Sequence, residues 1–309
     1  MKRLVLISSL LVAGSLGSFA QEGTGSESSY NKYSTKNIHE SDIMWKKEII
    51  RAVDLREKQN LPLFAYNQEI SRLLLEAVEE GVLTPYKNDS LAEGTVLTMD
   101  EFKTNLAIPG LTGGGDDESE DDWGGDSGDD WGDSGDDWGD SGDDWGDDGG
   151  SDDSGDSAGD DAIDLSTAVF YEPRQLYQLE INENLLFDNQ RSVLYYDIIS
   201  ITLFVPADEP DNIKGYQVPV ATFSFKELVE NVFEGNPAAI WYNPYNDQEH
   251  RNLADAFELR LFSSYIVKVS NPENEFIVDT YGGDLKTGIM ASQWKQFELL
   301  EYEHNLWEF

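Results

Sequence analysis

The chain has 309 residues, of which 61 are Asp or Glu against 21 Lys or Arg, for a formal net charge of −40. An excess of negative charge this large excludes nucleic acid and anionic lipid as partners. Cysteine is absent, which excludes a disulfide-stapled scaffold and also the lipid-modified cysteine by which a bacterial lipoprotein anchors itself.

Met1–Ala20 has the layout of a secretory signal. Lys2 and Arg3 are followed by an apolar run from Leu4 to Leu16, and Ser18-Phe19-Ala20 places small residues where a signal peptidase reads. Export is therefore expected, with Gln21 as the mature start and residues 21–36 as a flexible lead. No later apolar stretch reaches the roughly 20 residues that a membrane-spanning helix needs, so no direct membrane insertion is expected.

Residues 37–112 read as a small, mainly helical module. Ser41 can cap a helix carrying Trp45, Ile49, Ala52 and Val53 at helical spacing, ended by Pro62. A second helix follows Asn67, with Ile70, Leu73, Leu74, Ala77 and Val78 on one face and Gly81 as its stop. Thr98-Met99-Asp100-Glu101 is a capping box that opens a third helix around Phe102.

Residues 113–164 are almost wholly Asp, Gly and Ser, punctuated by Trp123, Trp131, Trp138 and Trp145. Asp116–Asp164 holds 23 acidic residues and no Lys or Arg, which is more than half of the net charge. A seven-residue period with only one apolar position filled, built on Gly and Asp, does not make a coiled coil. It cannot bury enough apolar surface to offset its ordering entropy, so a disordered acidic linker is expected. Two sharper roles stay open: weak calcium binding by the Asp-rich repeat, though its spacing fits neither the EF-hand loop nor the glycine-rich nonapeptide of parallel β-helix repeats, and a row of Trp anchors for a glycan or protein.

From residue 165 to 309 the signals are mixed, predicting an α+β domain. Leu176–Ile181 and Val193–Val205 carry strand composition. Phe225, Leu228, Val229 and Val232 suggest a helix stopped by Gly235, and Ala238–Tyr242 a short strand. Ala254–Arg260 reads as helical and Ser264–Val269 as extended. Thr287–Trp307 predicts a long helix with Met290, Trp294, Phe297 and either Leu300 or Glu301 on its inner edge. The expected fold class is thus α+β: helical module, acidic linker, mixed domain.

Nothing in the sequence carries a recognisable catalytic motif: there is no Walker loop, no G-x-S-x-G elbow, no H-E-x-x-H and no cysteine nucleophile. His39, His250 and His304 are scattered over different elements. Neither an enzyme nor a resident cofactor is expected. Aromatic and arginine residues of the kind that make interfaces are the sequence's main offer.

Two runs are more specific than composition. Ile43-Met44-Trp45 followed by Arg51-Ala52-Val53-Asp54-Leu55-Arg56-Glu57-Lys58-Gln59-Asn60-Leu61-Pro62 is similar to the opening of the gliding-motility GldN (PorN) family. Arg260-Leu261-Phe262-Ser263-Ser264-Tyr265-Ile266 and Glu303-His304-Asn305-Leu306-Trp307-Glu308-Phe309 resemble that family's closing motifs. The resemblance implies a non-enzymatic periplasmic subunit of the type IX secretion and gliding machinery. It would sit at the outer membrane through a GldK/PorK-like lipoprotein, self-associate in a ring with it, and contact a GldM/PorM-like motor-associated protein. The motif residues to watch are Trp45, Asp54, Arg56, Arg260, Phe262, Tyr265, His304 and Trp307. The Trp–Asp repeat is not part of the family pattern.

Overall fold

The protein was described from a computed structural model, which covers residues 29–87, 91–112, 165, 167–281 and 284–306. The signal segment, the acidic tract and Trp307 lie outside the described residues.

In chain order, strand β1 (Ile43–Asp54) is followed by a small ladder of β2 (Phe64–Ala65) and β3 (Gln68–Glu69), then helices α1 (Ile70–Glu79) and α2 (Met99–Leu106). Strands β4 (Ala107–Thr112) and β5 (Ala168–Phe170) flank the acidic tract. The long strands β6 (Gln178–Asp188), β7 (Val193–Val205) and β8 (Val218–Ser224) come next. A single turn, α3 (Phe225–Glu227), runs into a π-helical turn at Leu228–Phe233. The chain then forms β9 (Ile240–Trp241), β10 (Arg251–Asn252), α4 (Leu253–Glu258), β11 (Tyr265–Val269), α5 (Ile277–Thr280) and the 22-residue α6 (Leu285–Leu306). The fold is α+β.

The main sheet has five strands in the order β11-β1-β6-β7-β8, each pair antiparallel. This corrects the helical reading of residues 37–112. Trp45, Ile49, Ala52 and Val53 satisfy a helical period, but Trp45, Ile49, Arg51 and Val53 also satisfy the two-residue period of a strand. The second period prevails because β1 pairs on both edges, with Asp54 opposite Gln178 on one side and Ala52 opposite Tyr265 on the other. The β-branched residues Ile49, Ile50 and Val53 fit a pleated surface. Segments before and after the acidic tract therefore share one sheet, and they share one core as well, in which Val53, Leu74 and Phe102 pack in the same cluster as Ile181, Phe223 and Phe257.

The helix capped by Ser41 is not formed, but the local signals of α1, α2 and α4 are realised close to where they were read. Gly81 adopts φ +70 just beyond α1, and Gly235 adopts φ +73 after the π turn. Thr98 and Glu101 form the reciprocal capping box of α2. Residues 29–36 are not a free lead. The Tyr30 hydroxyl donates to the buried Asp197 carboxylate on β7, Tyr33 donates to the Leu91 carbonyl, and Ser34 is buried. Burial pushes the Asp197 carboxyl above the usual range.

Helix α6 departs most from its sequence reading. It covers the predicted stretch as far as Leu306, but Met290, Trp294, Phe297, Leu300 and Glu301 are exposed. Its inner face carries Gly288, Ala291 and Ser292, with Ala291 in a second apolar cluster alongside Ile49, Leu185, Ile266 and Ile277. Close approach explains the choice of small residues: a Cβ on Gly288 would meet Cγ2 of Val278, on α5, at 2.7 Å.

Gly288→Val should therefore pry α6 from α5. We expect a loss of about 2–3 kcal/mol from overpacking, seen as a lowered midpoint in thermal or urea unfolding.

Candidate functional site

One face of the sheet bears two apolar clusters, and the junction between them is charged. Glu183 on β6 follows Leu179 and Ile181 at the inward phase of the strand and has no exposed surface. Arg51, also at the inward phase, is 5% exposed, and its Nε donates to Glu183. Arg260 approaches from the loop between α4 and β11, and its Nη1 donates to the other carboxylate oxygen at 2.6 Å. Its guanidinium also stacks over the rings of Tyr196, at 4.5 Å, and Phe262, at 5.4 Å. Two guanidinium groups share one carboxylate, which leaves the triad with one net positive charge. Burial raises the Tyr196 hydroxyl, assisted by the nearby Glu303 of α6.

Arg260 reaches this position from the left-handed region, with φ +54. That conformation costs a non-glycine residue roughly 1–2 kcal/mol, which the two charge-assisted hydrogen bonds and the ring contacts offset. Asn60 fixes the same loop from the other side. Fully buried, it donates through Nδ2 to the carbonyls of Asp54 (2.7 Å) and Ser263 (3.0 Å), and its Oδ1 accepts from the Ser263 amide. The opening and closing sequence runs thus meet in space, through the β1–β11 pairing, the Asn60–Ser263 bonds and the shared Glu183.

A second cluster ties the end of β1 to the loop beyond β7. Arg56 bridges Asp54 and Asp208, each at 3.2 Å, and lies 3.6 Å from the centre of the Tyr177 ring. The Tyr177 hydroxyl donates to Asp208 at 2.6 Å. That hydrogen bond, aided by Arg56, holds the Asp208 carboxyl below the usual carboxylate range, while burial raises the Tyr177 hydroxyl.

The remaining motif residues do not converge on one point. Trp45 lies at the start of β1 with its ring 4.8 Å from that of Tyr302 on α6. Tyr265 opens β11 and is partly exposed, and His304 is exposed in the last turn of α6. Sequence reading missed Glu183, Tyr196 and Tyr302. A carboxylate at the inward phase of an alternating strand, in line with Leu179, Ile181 and Leu185, was the available signal for the first.

Among the described residues, two apolar surfaces are suited to contact with other molecules. One is the outer stripe of α6. The other is a depression of about 540 Å³ lined by Lys58, Leu61, Pro62, Phe64, Tyr66 and Tyr242, among others. The Arg174 guanidinium lies over its Phe64 and Tyr66 rings. Among the described residues, no group of three or more His, Cys, Asp or Glu could hold a metal ion, and no helix is long and apolar enough to cross a membrane.

Comparison with known families gives one result. The model of a family described as "Gliding motility associated protein GldN" matches residues 38–308. That span includes every element of the main sheet. No curated protein matches the chain.

The geometry makes two measurable demands. Glu183→Ala strands the buried Arg51 and leaves the half-buried Arg260 without its carboxylate, and should cost about 3–5 kcal/mol in urea unfolding. Arg260→Ala should cost less, because that side chain is 26% exposed and Arg51 keeps its partner. Asp208 binds its proton more weakly folded than unfolded, so its contribution is present above about pH 4 and is lost as pH falls through the lower folded value. Asp208→Asn should flatten part of the acid limb of a stability–pH profile and leave the neutral plateau little changed in slope.

Proposed function

The chain belongs to the gliding motility associated GldN family, and from that premise we propose that it is a non-enzymatic periplasmic subunit of the type IX secretion and gliding machinery. The observation that carries this reading is the joining of the family-like opening and closing runs around Glu183, in a protein whose conspicuous surfaces are aromatic. The charged groups of that junction are engaged with one another in holding the sheet, the Arg260 loop and the adjoining aromatic rings. Such an arrangement shapes a surface; it does not present a nucleophile or base to a substrate.

In this reading the protein is exported through the Met1–Ala20 signal and held at the outer membrane by a GldK/PorK-like lipoprotein, with which it forms a ring. It also contacts a GldM/PorM-like motor-associated protein. The lack of cysteine and of a described membrane-spanning helix supports attachment through a partner. No cofactor is required. The apolar depression at Pro62 and Tyr66 suits a partner side chain, since buried aromatic anchors supply most of an interface's energy.

The competing role, a calcium- or glycan-binding module acting through the Trp–Asp repeat, is separated by one deletion. Removing residues 113–161 leaves a short connection between β4 and β5, whose register holds Ala107 opposite Phe170. The subunit reading expects the shortened protein to fold and to co-purify with the lipoprotein in assemblies of unchanged size. Failure of the intact protein to co-purify would refute the subunit reading. Loss of calcium-dependent or glycan-dependent binding on deletion, with assembly unaffected by the lipoprotein, would establish the other.

A further inference from the structure

The outer face of α6 is an apolar surface among the described residues, bordered on the Phe297–Leu300 flank by a cavity shared with Arg51 and Tyr196. Ile289, Met290, Trp294, Phe297 and Leu300 are between 45% and 69% exposed. At 100° per residue, Met290, Trp294 and Phe297 form one stripe, with Ile289 and Leu300 along a single flank. Together they leave on the order of 600 Å² of side chain in water, at the upper end of what a monomer normally exposes.

The charges on this face are ordered. Lys286 sits on the stripe near the start of the helix and Glu301 near its end, both exposed. Lys286 and Glu301 are equally far from the midpoint between Gln293 and Trp294, and so are Met290 and Phe297. A helix with this pattern is complementary to itself in the antiparallel sense.

We infer that α6 pairs with α6 of a second copy of this chain, antiparallel and about a two-fold axis that passes by Trp294. In that arrangement each Met290 faces the other copy's Phe297, the two Trp294 rings lie side by side, and Ile289 falls beside Leu300. Lys286 and Glu301 form two symmetric ion pairs at the ends. The helix is about 33 Å long. Its apolar stripe with the flanking Gln293, Lys286 and Glu301 comes close to the roughly 800 Å² per partner of a standard interface. Glu298 flanks the stripe and pairs with Lys295, while His304 continues the stripe beyond Phe297 and Glu301, past the end of the paired region. An isologous contact closes on itself, so it joins two subunits only and does not by itself build a ring. It does not depend on the subunit reading above.

Sedimentation equilibrium of the purified protein tests this. The wild type should be a dimer, and Trp294→Ala should weaken association at least tenfold. Lys286→Glu or Glu301→Lys alone should weaken it too, because each sets like charges against one another twice. The double variant K286E/E301K exchanges the ends and should restore the dimer. If Trp294→Ala also lowers the thermal midpoint, the charge variants, which alter exposed residues only, decide the matter. A wild type that is monomeric at ~100 μM, a double variant no better than its single parents, or a stripe needed only for binding another protein would each overturn the pairing. Dimerisation without any lipoprotein assembly would count against the ring and leave this contact standing.

Discussion

Glu183, a carboxylate without exposed surface, is held between two guanidinium groups, and the layout of the protein follows from the need to keep it there. Removing such a charge from water is costly, and only close, hydrogen-bonded partners offset the cost. Arg51 comes from β1 and Arg260 from the loop before β11, so the carboxylate on β6 joins the opening, middle and closing parts of the chain. The charged junction also divides the face of the sheet. On one side lie Val53, Ile181 and Phe257, on the other Ile49, Leu185 and Ala291. Oil-like packing alone would tolerate many relative placements of the two clusters, whereas a bidentate pair tolerates few.

How much of this was legible depended on how local the signal was. The apolar face of α1, its Gly81 stop and the capping box of α2 rest on neighbours within one or two turns, and they were readable from the residues alone. Strand β1 was not, because Trp45, Ile49, Arg51 and Val53 obey one period while Trp45, Ile49, Ala52 and Val53 obey another. Pairing partners more than a hundred residues away chose between them. Neither Arg51 nor Glu183 was read at an inward strand position, and nothing in the order of residues says that they meet. Helix α6 failed for a different reason. Burial of large apolar residues is the default expectation, yet contact with α5 at Val278 demanded glycine and left the aromatic residues outside.

The family relationship acquires a physical meaning from these contacts. Asn60 and Ser263 lie in the two runs that resemble the GldN family, and they exchange hydrogen bonds in both directions. Arg51 and Tyr265 belong to the same two runs and occupy neighbouring positions of the β1–β11 ladder, and Arg260 reaches Glu183 from the loop before β11. What the two runs build in this chain is therefore an internal joint. The surfaces that meet other proteins are then placed by that joint, α6 through its packing on β11 and β1, the aromatic depression through the turn that Asn60 anchors after β1.

The short ladder of β4 and β5 has a consequence of another kind. Because Ala107 faces Phe170 and Thr112 faces Ala168, the polypeptide departs and returns at adjacent points on the body. The entropy of closing such an excursion grows only with the logarithm of its length, about 0.6 kcal/mol for each doubling. Repeat units can accumulate or vanish between those strands across generations with almost no tax on folding. The ladder thus makes this position an evolutionary expansion slot, where new sequence can be tried while the sheet beneath it stays the same.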